Sequence, residues 1–489
     1  MGRAQQPVTG TAPILLSKNV RISTDSDRRN GLAPNTLVFG GVGSGKSQGF
    51  VIPNIMQKNT SYVVVDPSGE CYRSVGRLLE DDGYVVKCFD LVKMDKHRFN
   101  PFIYIAEEAD VRRLATSFAE STTDATKTGG DQFWTDGMQQ ICEALISFIW
   151  ECVAPQERSF STMLTLIRLS ALESDDMGTK STLDHIFEDY AKEHPDSYAV
   201  CQWDLFKTGA PKTRASIITT LATRLGVFGI QKLTELTCED ELELDKLGDR
   251  KQTLFCCIPE GEKSFDFLVG LLYTTLFSVL YRKADDREDG FVGLNVPVQI
   301  FMDEWANCGL PDNFEAKLAT ARKRRIMMHI IVQGLSQLKR RLPKSYEEVY
   351  ANCPLFLYLG NNEPASWKFI SETCGKETIN VKTTGKSGSN FSSNQQVIGS
   401  QLLTEAQVRR KDRGDCIVLI QGEKVVIEEK YDVTNHKDFA HTLRGGSPPF
   451  KQEIVHIPHD EMDEIRALNE AVEFDNLTWA EAEDVLEEM

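Results

Sequence analysis

Residues 35–50 read NTLVFGGVGSGKSQGF and hold Gly40-x-x-x-x-Gly45-Lys46-Ser47 between an apolar run and a helical one. This pattern constrains the fold more than any other in the chain, because it works only where a strand delivers a glycine-rich turn to the start of a helix. The glycines let backbone N–H groups turn inward, and the helix N-terminus adds a dipole that favours an anion. Gly40, Gly41, Gly43, Ser44 and Gly45 therefore read as a cradle for nucleotide phosphates. Lys46 is assigned to the β- and γ-phosphates and the Ser47 hydroxyl to Mg²⁺, with ATP as the expected nucleotide. A second Gly-Lys-Ser, at Gly385–Ser387, is a control. No buried strand leads into it, and the Ser/Gly-rich stretch 382–394 around it is expected to be a flexible loop.

The rest of the chain supplies the alternation that such a loop needs. SYVVVD at 61–66 and YVVKCFDL at 84–91 are continuous apolar runs, the kind found in parallel strands covered on both faces, with a helical stretch between them. Pro53 should kink or shorten the helix after the loop. The opening thirty residues are polar and weakly patterned. From about 106 to 246 helical periodicity takes over, and strands then return in QTLFCCI, VPVQIFMDE, MMHIIVQG and PLFLYLG. DCIVLIQGEKVVIEEKYD closes the core as a hairpin turning at Gly422-Glu423. The expected organisation is a nucleotide-binding α/β domain in two parts, 1–105 and 247–440. A mainly helical domain at 106–246 is inserted between them, and an acidic tail follows at 441–489.

Strand ends carry the remaining chemistry. VPVQIFM delivers Asp303 and Glu304, an acidic pair far along the chain from the loop. Asp303 would hold Mg²⁺ through its water shell, and Glu304 would orient or deprotonate the attacking water; the plainer alternative is a strand ending in solvated acids. MMHIIV ends in Gln333, where RecA-like motors place a polar residue that senses the terminal phosphate; the alternative is an exposed Gln closing a strand. Just upstream, Arg322, Lys323, Arg324 and Arg325 form one run. It reads as a solvated helix end, as a cation offered to a neighbouring subunit's nucleotide, or as a contact for nucleic-acid phosphates. Asp66 ends the second strand and Glu70 follows in the turn, either near the nucleotide crevice at the carboxyl ends of a parallel sheet, near a subunit joint, or in an ordinary turn.

Composition sets the outer limits. With 489 residues, 41% of them hydrophobic and 26% charged, the chain can bury a sizeable core. No run matches the ~18 uninterrupted apolar residues of a membrane span. The best candidate, 265–282, carries Asp266 near its start and reads as a buried core helix. The first residues lack the apolar segment of a signal peptide. The twelve cysteines include no C-x-x-C pair, so they read as reduced thiols of a soluble cytoplasmic protein. The net charge of −17 is concentrated in residues 451–489, where 13 Asp or Glu face only Lys451 and Arg466; −11 lies there and −6 over the first 450 residues. A nucleic-acid partner is therefore not excluded by charge.

As a set, these motifs resemble the TraG/TraD-like coupling ATPases of type IV secretion and conjugation. The resemblance rests on the phosphate loop followed by VIPNI, then VVVDPSGE, GYVVKCFDL, FNPF, FWTDGMQQI, PKTRASI, FMDEWAN, the Arg-rich run, VQGLSQLK and the closing LLTEAQVRRK and DCIVLIQGEKVV, and it spans roughly Ser17 to Asp432. It implies a RecA-like P-loop NTPase fold, with a mainly parallel central sheet and an inserted all-α domain, assembling as a ring-shaped hexamer. It implies Lys46 and Ser47 for phosphate and Mg²⁺, Asp303 and Glu304 for hydrolysis, and Gln333 as sensor. The implied partners are DNA with bound relaxase, the secretion-channel ATPase and the channel's membrane components, at the cytoplasmic face of the cell membrane. The family usually carries N-terminal spanning helices and none is read in this sequence, so either they were removed or a separate partner supplies the anchor. Ser68 stands where many members have lysine. Two other functions share the same loop: a docking receptor for secreted proteins, and an FtsK-like or HerA-like pump for double-stranded DNA.

Overall fold

The computed structural model describes residues 13–23, 34–67, 69–122, 131–170, 180–259, 264–287, 292–305, 309–311, 313–387 and 390–454, with positions 261, 290 and 456. The chain divides into two compact units, one of residues 1–92 and 243–451, the other of residues 93–242 and 452–489.

The first unit is built on strands β1 (Ile14–Leu15), β2 (Arg21–Ile22), β3 (Thr36–Gly40), β4 (Ser61–Pro67), β5 (Val85–Asp90), β6 (Gln252–Ile258), β7 (Val298–Met302), β8 (Ile326–Val332), β9 (Leu355–Gly360), β10 (Lys376–Ser387), β11 (Asn390–Gln401), β12 (Asp415–Ile420) and β13 (Val426–Glu429). Nine of them form one sheet in the order β13-β12-β9-β3-β8-β7-β4-β6-β5. Pairing is parallel from β9 to β5, and β12 and β13 join antiparallel at one edge. Every residue of β3, β6, β7 and β8 is buried. Apolar runs without alternation follow directly, since helices cover both faces and leave no wet side for a polar residue. The helix Asp266–Asp285 has thirteen buried positions and is a core helix. No helix among the described residues is long and apolar enough to cross a membrane.

A polar seam crosses this apolar sheet. His329 of β8 lies 3.2 Å from the Thr36 hydroxyl of β3 and 3.0 Å from Gln299 Oε1 of β7, and Gln299 Nε2 donates to the Thr60 hydroxyl at 3.0 Å. The imidazole stacks on Phe301 with ring centroids 4.4 Å apart. Full burial pushes its pKa down to about 3, so the ring is neutral and each ring nitrogen has a partner.

Residues 382–394 lie mostly in the β10–β11 hairpin, where Gly385 pairs with Ser392, and not in a loop. Hydroxyl and amide side chains hid the β-forming Thr, Val and Ile of TINVKTT and QQVIGS. The polar opening segment contributes Ile14 and Leu16 to the core, held by a hydrogen bond from Leu15 N to Asn54 Oδ1 at 2.8 Å.

The second unit is helical: Glu108–Ser121, Asp131–Cys152, Phe160–Arg168, Thr182–Glu193, Tyr198–Lys207, Pro211–Leu225 and Gln231–Thr237. Ser159, Ser181 and Ser197 cap three of these helices, Ser181 in a reciprocal box with Asp184. The unit begins at Lys93, whereas helical periodicity placed the boundary at 106. The reason is FNPF: Phe99 N donates to Leu236 O at 2.9 Å, and Phe102 packs edge-on against Phe160 at 5.1 Å. Residues 441–451, assigned above to the tail, belong to the first unit, where the Phe450 ring fills the space over Gly76 and packs on Tyr72. Gln452 and His456 meet Lys96 and Glu241 within the helical unit, and the acidic sequence beyond lies outside the described residues.

The seam predicts a pH-dependent stability difference. His329 titrates near 6.5 in the unfolded chain and near 3 in the folded one, so the unfolded chain takes up the proton first as pH falls. Above pH 6.5 the neutral ring has its full effect; between 6.5 and 3 the wild type should lose roughly 1.4 kcal/mol per pH unit relative to His329→Gln. Denaturant unfolding at pH 7.5, 6 and 5 measures this, and parallel pH profiles for the two proteins would contradict it.

Candidate nucleotide site

In the order β3-β8-β7, the tips of three parallel strands lie side by side, although they come from residues 40, 332 and 302. At about 4.8 Å per strand, the outer two tips are only about 10 Å apart, within reach of side chains.

The loop after β3 is shaped by its glycines. Gly43 and Gly45 have φ of 69° and 89°, and a Cβ on either would meet open space, so the left-handed backbone and not crowding demands glycine. Gly41 N donates to Gly360 O of β9 at 2.9 Å, and Lys46 Nζ lies 3.5 Å from Gly41 O. The Ser44 hydroxyl is buried and has no hydrogen-bond partner among the described residues. The helix opens with a wide turn over Ser47–Val51 and ends at Ile55; Pro53 sits in the first turn of Ile52–Ile55, where a missing N–H costs little. The helix is short, as Pro53 predicts.

Ser47 Oγ lies 3.5 Å from Asp303 Oδ2, and Asp303 also accepts from Glu304 N at 3.0 Å. Burial pushes the Asp303 carboxyl up to about 6; the Lys46 cation opposes this and the Glu304 charge adds to it. Glu304 holds a left-handed backbone, φ 54°, directly after the strand. Such a conformation costs of order 1–3 kcal/mol and persists where surrounding contacts impose it. Gln333 Nε2 meets both Glu304 carboxylate oxygens, at 3.3 and 3.4 Å. Ser47, Asp303, Glu304 and Gln333 thus form one chain of contacts beside the loop formed by Gly40, Gly41, Gly43, Ser44 and Gly45, and the Lys46 charge acts on Asp303. An orphaned hydroxyl, a cationic lysine and a buried carboxylate beside a serine fit a phosphate group with a hard divalent cation.

The other candidates separate. Asp66 is buried and accepts from Cys71 N at 2.9 Å and Tyr72 N at 2.7 Å; it anchors the start of the helix Glu70–Asp81. Burial nevertheless raises its pKa to about 6. Glu70 does approach the loop, accepting from Gln48 Nε2 at 2.6 Å. In the basic run, Arg324 pairs with Asp285 and covers the Tyr281 ring at 4.0 Å, while Arg325 donates to the Leu294 and Asn295 carbonyls, each at 2.8 Å. Lys323 is exposed. Ser68 lies outside the described residues.

Sequence reasoning missed the turn after β9. Asn361 Nδ2 donates to Gln333 O at 2.9 Å, and Glu363 accepts from Leu335 N at 2.8 Å and Ser336 N at 2.9 Å, capping the helix Leu335–Arg341. The Gly360 carbonyl that receives Gly41 N belongs to the same turn, which ties the loop to the Gln333 strand tip. The strand-end rule that found Asp303 would have found Asn361, had β9 been placed beside β3.

The chain has relatives among known proteins. The chain is 24% identical over 407 residues to protein VirD4 of Rhizobium radiobacter, covering 80% of the chain and 56% of that protein. It is 22% identical over 402 residues to conjugal transfer protein TraG of Agrobacterium fabrum (strain C58 / ATCC 33970), covering 79% of the chain and 58% of that protein. It therefore spans less than two thirds of the length of these relatives. Among solved structures, plasmid coupling protein TrwB in complex with ADP and Mg²⁺ superposes with a TM-score of 0.62 at 14% identity, over 88% of this chain and 90% of that one. The fold is that of a RecA-like P-loop NTPase. Residues 15–445 match the family described as Type IV secretory system Conjugative DNA transfer, and the chain belongs to that family.

Proposed function

We propose that this chain is the ATP-hydrolysing coupling protein of a type IV secretion or conjugation channel. It recruits a relaxase–DNA substrate and drives its translocation, acting as a homo-hexamer beside the channel's own ATPase and membrane components. The observation that carries this reading is the convergence at the tips of β3, β8 and β7, where Ser47 stands 3.5 Å from Asp303 and Glu304 meets Gln333. Ser47 and Asp303 would hold Mg²⁺, which neutralises phosphate charge as the bond to the terminal phosphate breaks. Inward N–H groups of the loop and Lys46 bind the phosphates. Glu304 orients the attacking water and accepts its proton, and Gln333, hydrogen-bonded to that carboxylate, transmits its state to the helix Leu335–Arg341 through the Asn361–Glu363 turn. Within a ring, Lys323 is the exposed cation of the basic run available to a neighbouring subunit or to DNA phosphates. We read the helical unit as an inserted domain that receives substrates.

A second reading, a docking receptor for secreted proteins, is favoured by a groove of about 580 Å³ within the helical unit. Arg112, Phe133, Leu205 and Arg214 line it, and Phe133 and Leu205 are 62% and 47% exposed. Both readings use the groove; only the first needs DNA.

Three outcomes follow in the full chain. Glu304→Gln should bind the fluorescent analogue mant-ATP as wild type does and lose at least about 100-fold in turnover, whereas Lys46→Ala should lose both; unchanged hydrolysis in either variant would remove the site assignment. DNA should stimulate hydrolysis at physiological salt, with an effect that declines as salt rises; a ring that neither binds DNA nor responds to it leaves the docking reading. Phe133→Asp with Leu205→Asp should reduce capture of a purified relaxase–DNA complex at least about tenfold without altering basal ATP hydrolysis, and undiminished capture would exclude the groove.

A further inference from the structure

Whatever holds the Ser44 carbonyl also decides where the Gly45 N–H points, because the peptide between them is planar and trans and its two polar groups face opposite ways. The group that holds it comes from the far end of the unit. Lys430, which follows β13, places its ammonium 2.8 Å from Ser44 O. Its own backbone is fixed: Lys430 N donates to Gly414 O at 2.8 Å, and the preceding Glu429 O accepts from Lys18 N at 3.0 Å.

We propose that Lys430 is a positioning residue of the phosphate loop, pulling the Ser44 carbonyl outward so that the Gly45 N–H faces the phosphate cradle. This rests on reading the loop as a nucleotide site. The contact spans 386 residues of sequence and crosses from the antiparallel edge of the sheet to the loop near its centre. Gly45, at φ 89°, has no side chain to hold its peptide in place, so an outside donor is the means available. A charged donor on a carbonyl is stronger than a neutral one. Electrostatics add a second effect. Burial, with the neighbouring Lys411 ammonium, pushes Lys430 down to about 8, against the pull of Asp412 and Asp415. Lys411 is itself directed at the Asp412 and Asp415 carbonyls. A half-buried cation beside a like charge gains from a phosphate anion arriving in the loop.

The test compares Lys430→Met and Lys430→Arg with wild type and Lys46→Ala, using mant-ATP with Mg²⁺ for affinity, steady-state hydrolysis for KM and kcat, and melting temperature for folding. Lys430→Met should weaken mant-ATP affinity and raise KM about tenfold, with melting within about 2 °C of wild type. Lys430→Arg should recover affinity to within about threefold. Hydrogen exchange at the Gly45 amide, measured in the presence of mant-ATP, should be faster in Lys430→Met than in wild type. Wild-type affinity in Lys430→Met, or equal loss in Met and Arg, overturns the assignment. If Lys46→Ala also binds normally, the nucleotide reading itself fails; if binding depends on Lys46 and not on Lys430, only the role of Lys430 is lost.

Discussion

The parallel adjacency of β3, β8 and β7 is the constraint on which the rest depends. Each strand ends at the same edge of the sheet, so three segments whose tips lie up to 292 residues apart (residues 40 and 332) deliver a glycine loop, Gln333 and an acidic pair to one line. The loop alone offers N–H groups and a lysine; Asp303 becomes chemically useful only because β7 runs alongside and its register leaves the carboxylate beside Ser47. Burial disfavours the Asp303 charge, and the nearby Lys46 cation favours it. In the proposed function, a bound cation and phosphate complete a site arranged in this way.

Much of this was legible in the sequence, for identifiable reasons. The strands carrying the site are fully buried, so their apolar runs are unbroken, and the residue that breaks each run (Gly40, Asp303, Gln333) is the one presented at the tip. The legible part was local. Which strands neighbour each other was not, and the turn at Gly360–Glu363 went unnoticed until β9 was found beside β3. Lys430 lay further from reach: nothing around it in EEKYD differs from an exposed strand end, and its role arises from a crossing between distant segments. The β10–β11 hairpin is hard to read for a different reason, since a strand pair rich in Ser, Asn, Gln and Thr carries hydrophobic alternation over only a few residues, such as Ile379 and Val381. Asp66 is a strand-end acid of a different kind, whose carboxylate is taken up by the first turn of the next helix.

The antiparallel edge has more than a closing role in this account. The hairpin β12–β13 brings Lys430 to the back of the loop, while β9 holds Gly41 from the other side. The loop is thus gripped at two carbonyl–donor contacts outside its own sequence. Beyond it, Glu304, Gln333, Asn361 and Glu363 form a continuous hydrogen-bonded path to the helix Leu335–Arg341, whose last turn carries Lys339, Arg340 and Arg341. In the proposed function, a change of charge at the terminal phosphate would reach those basic residues along this path.

The most direct test is electron cryo-microscopy of the full chain with a non-hydrolysable ATP analogue, Mg²⁺ and DNA. The expected result is a phosphate chain enclosed by residues 41–47, with a cation held by Ser47 and Asp303. Nucleotide bound elsewhere, or a loop left empty at saturating analogue, would contradict it.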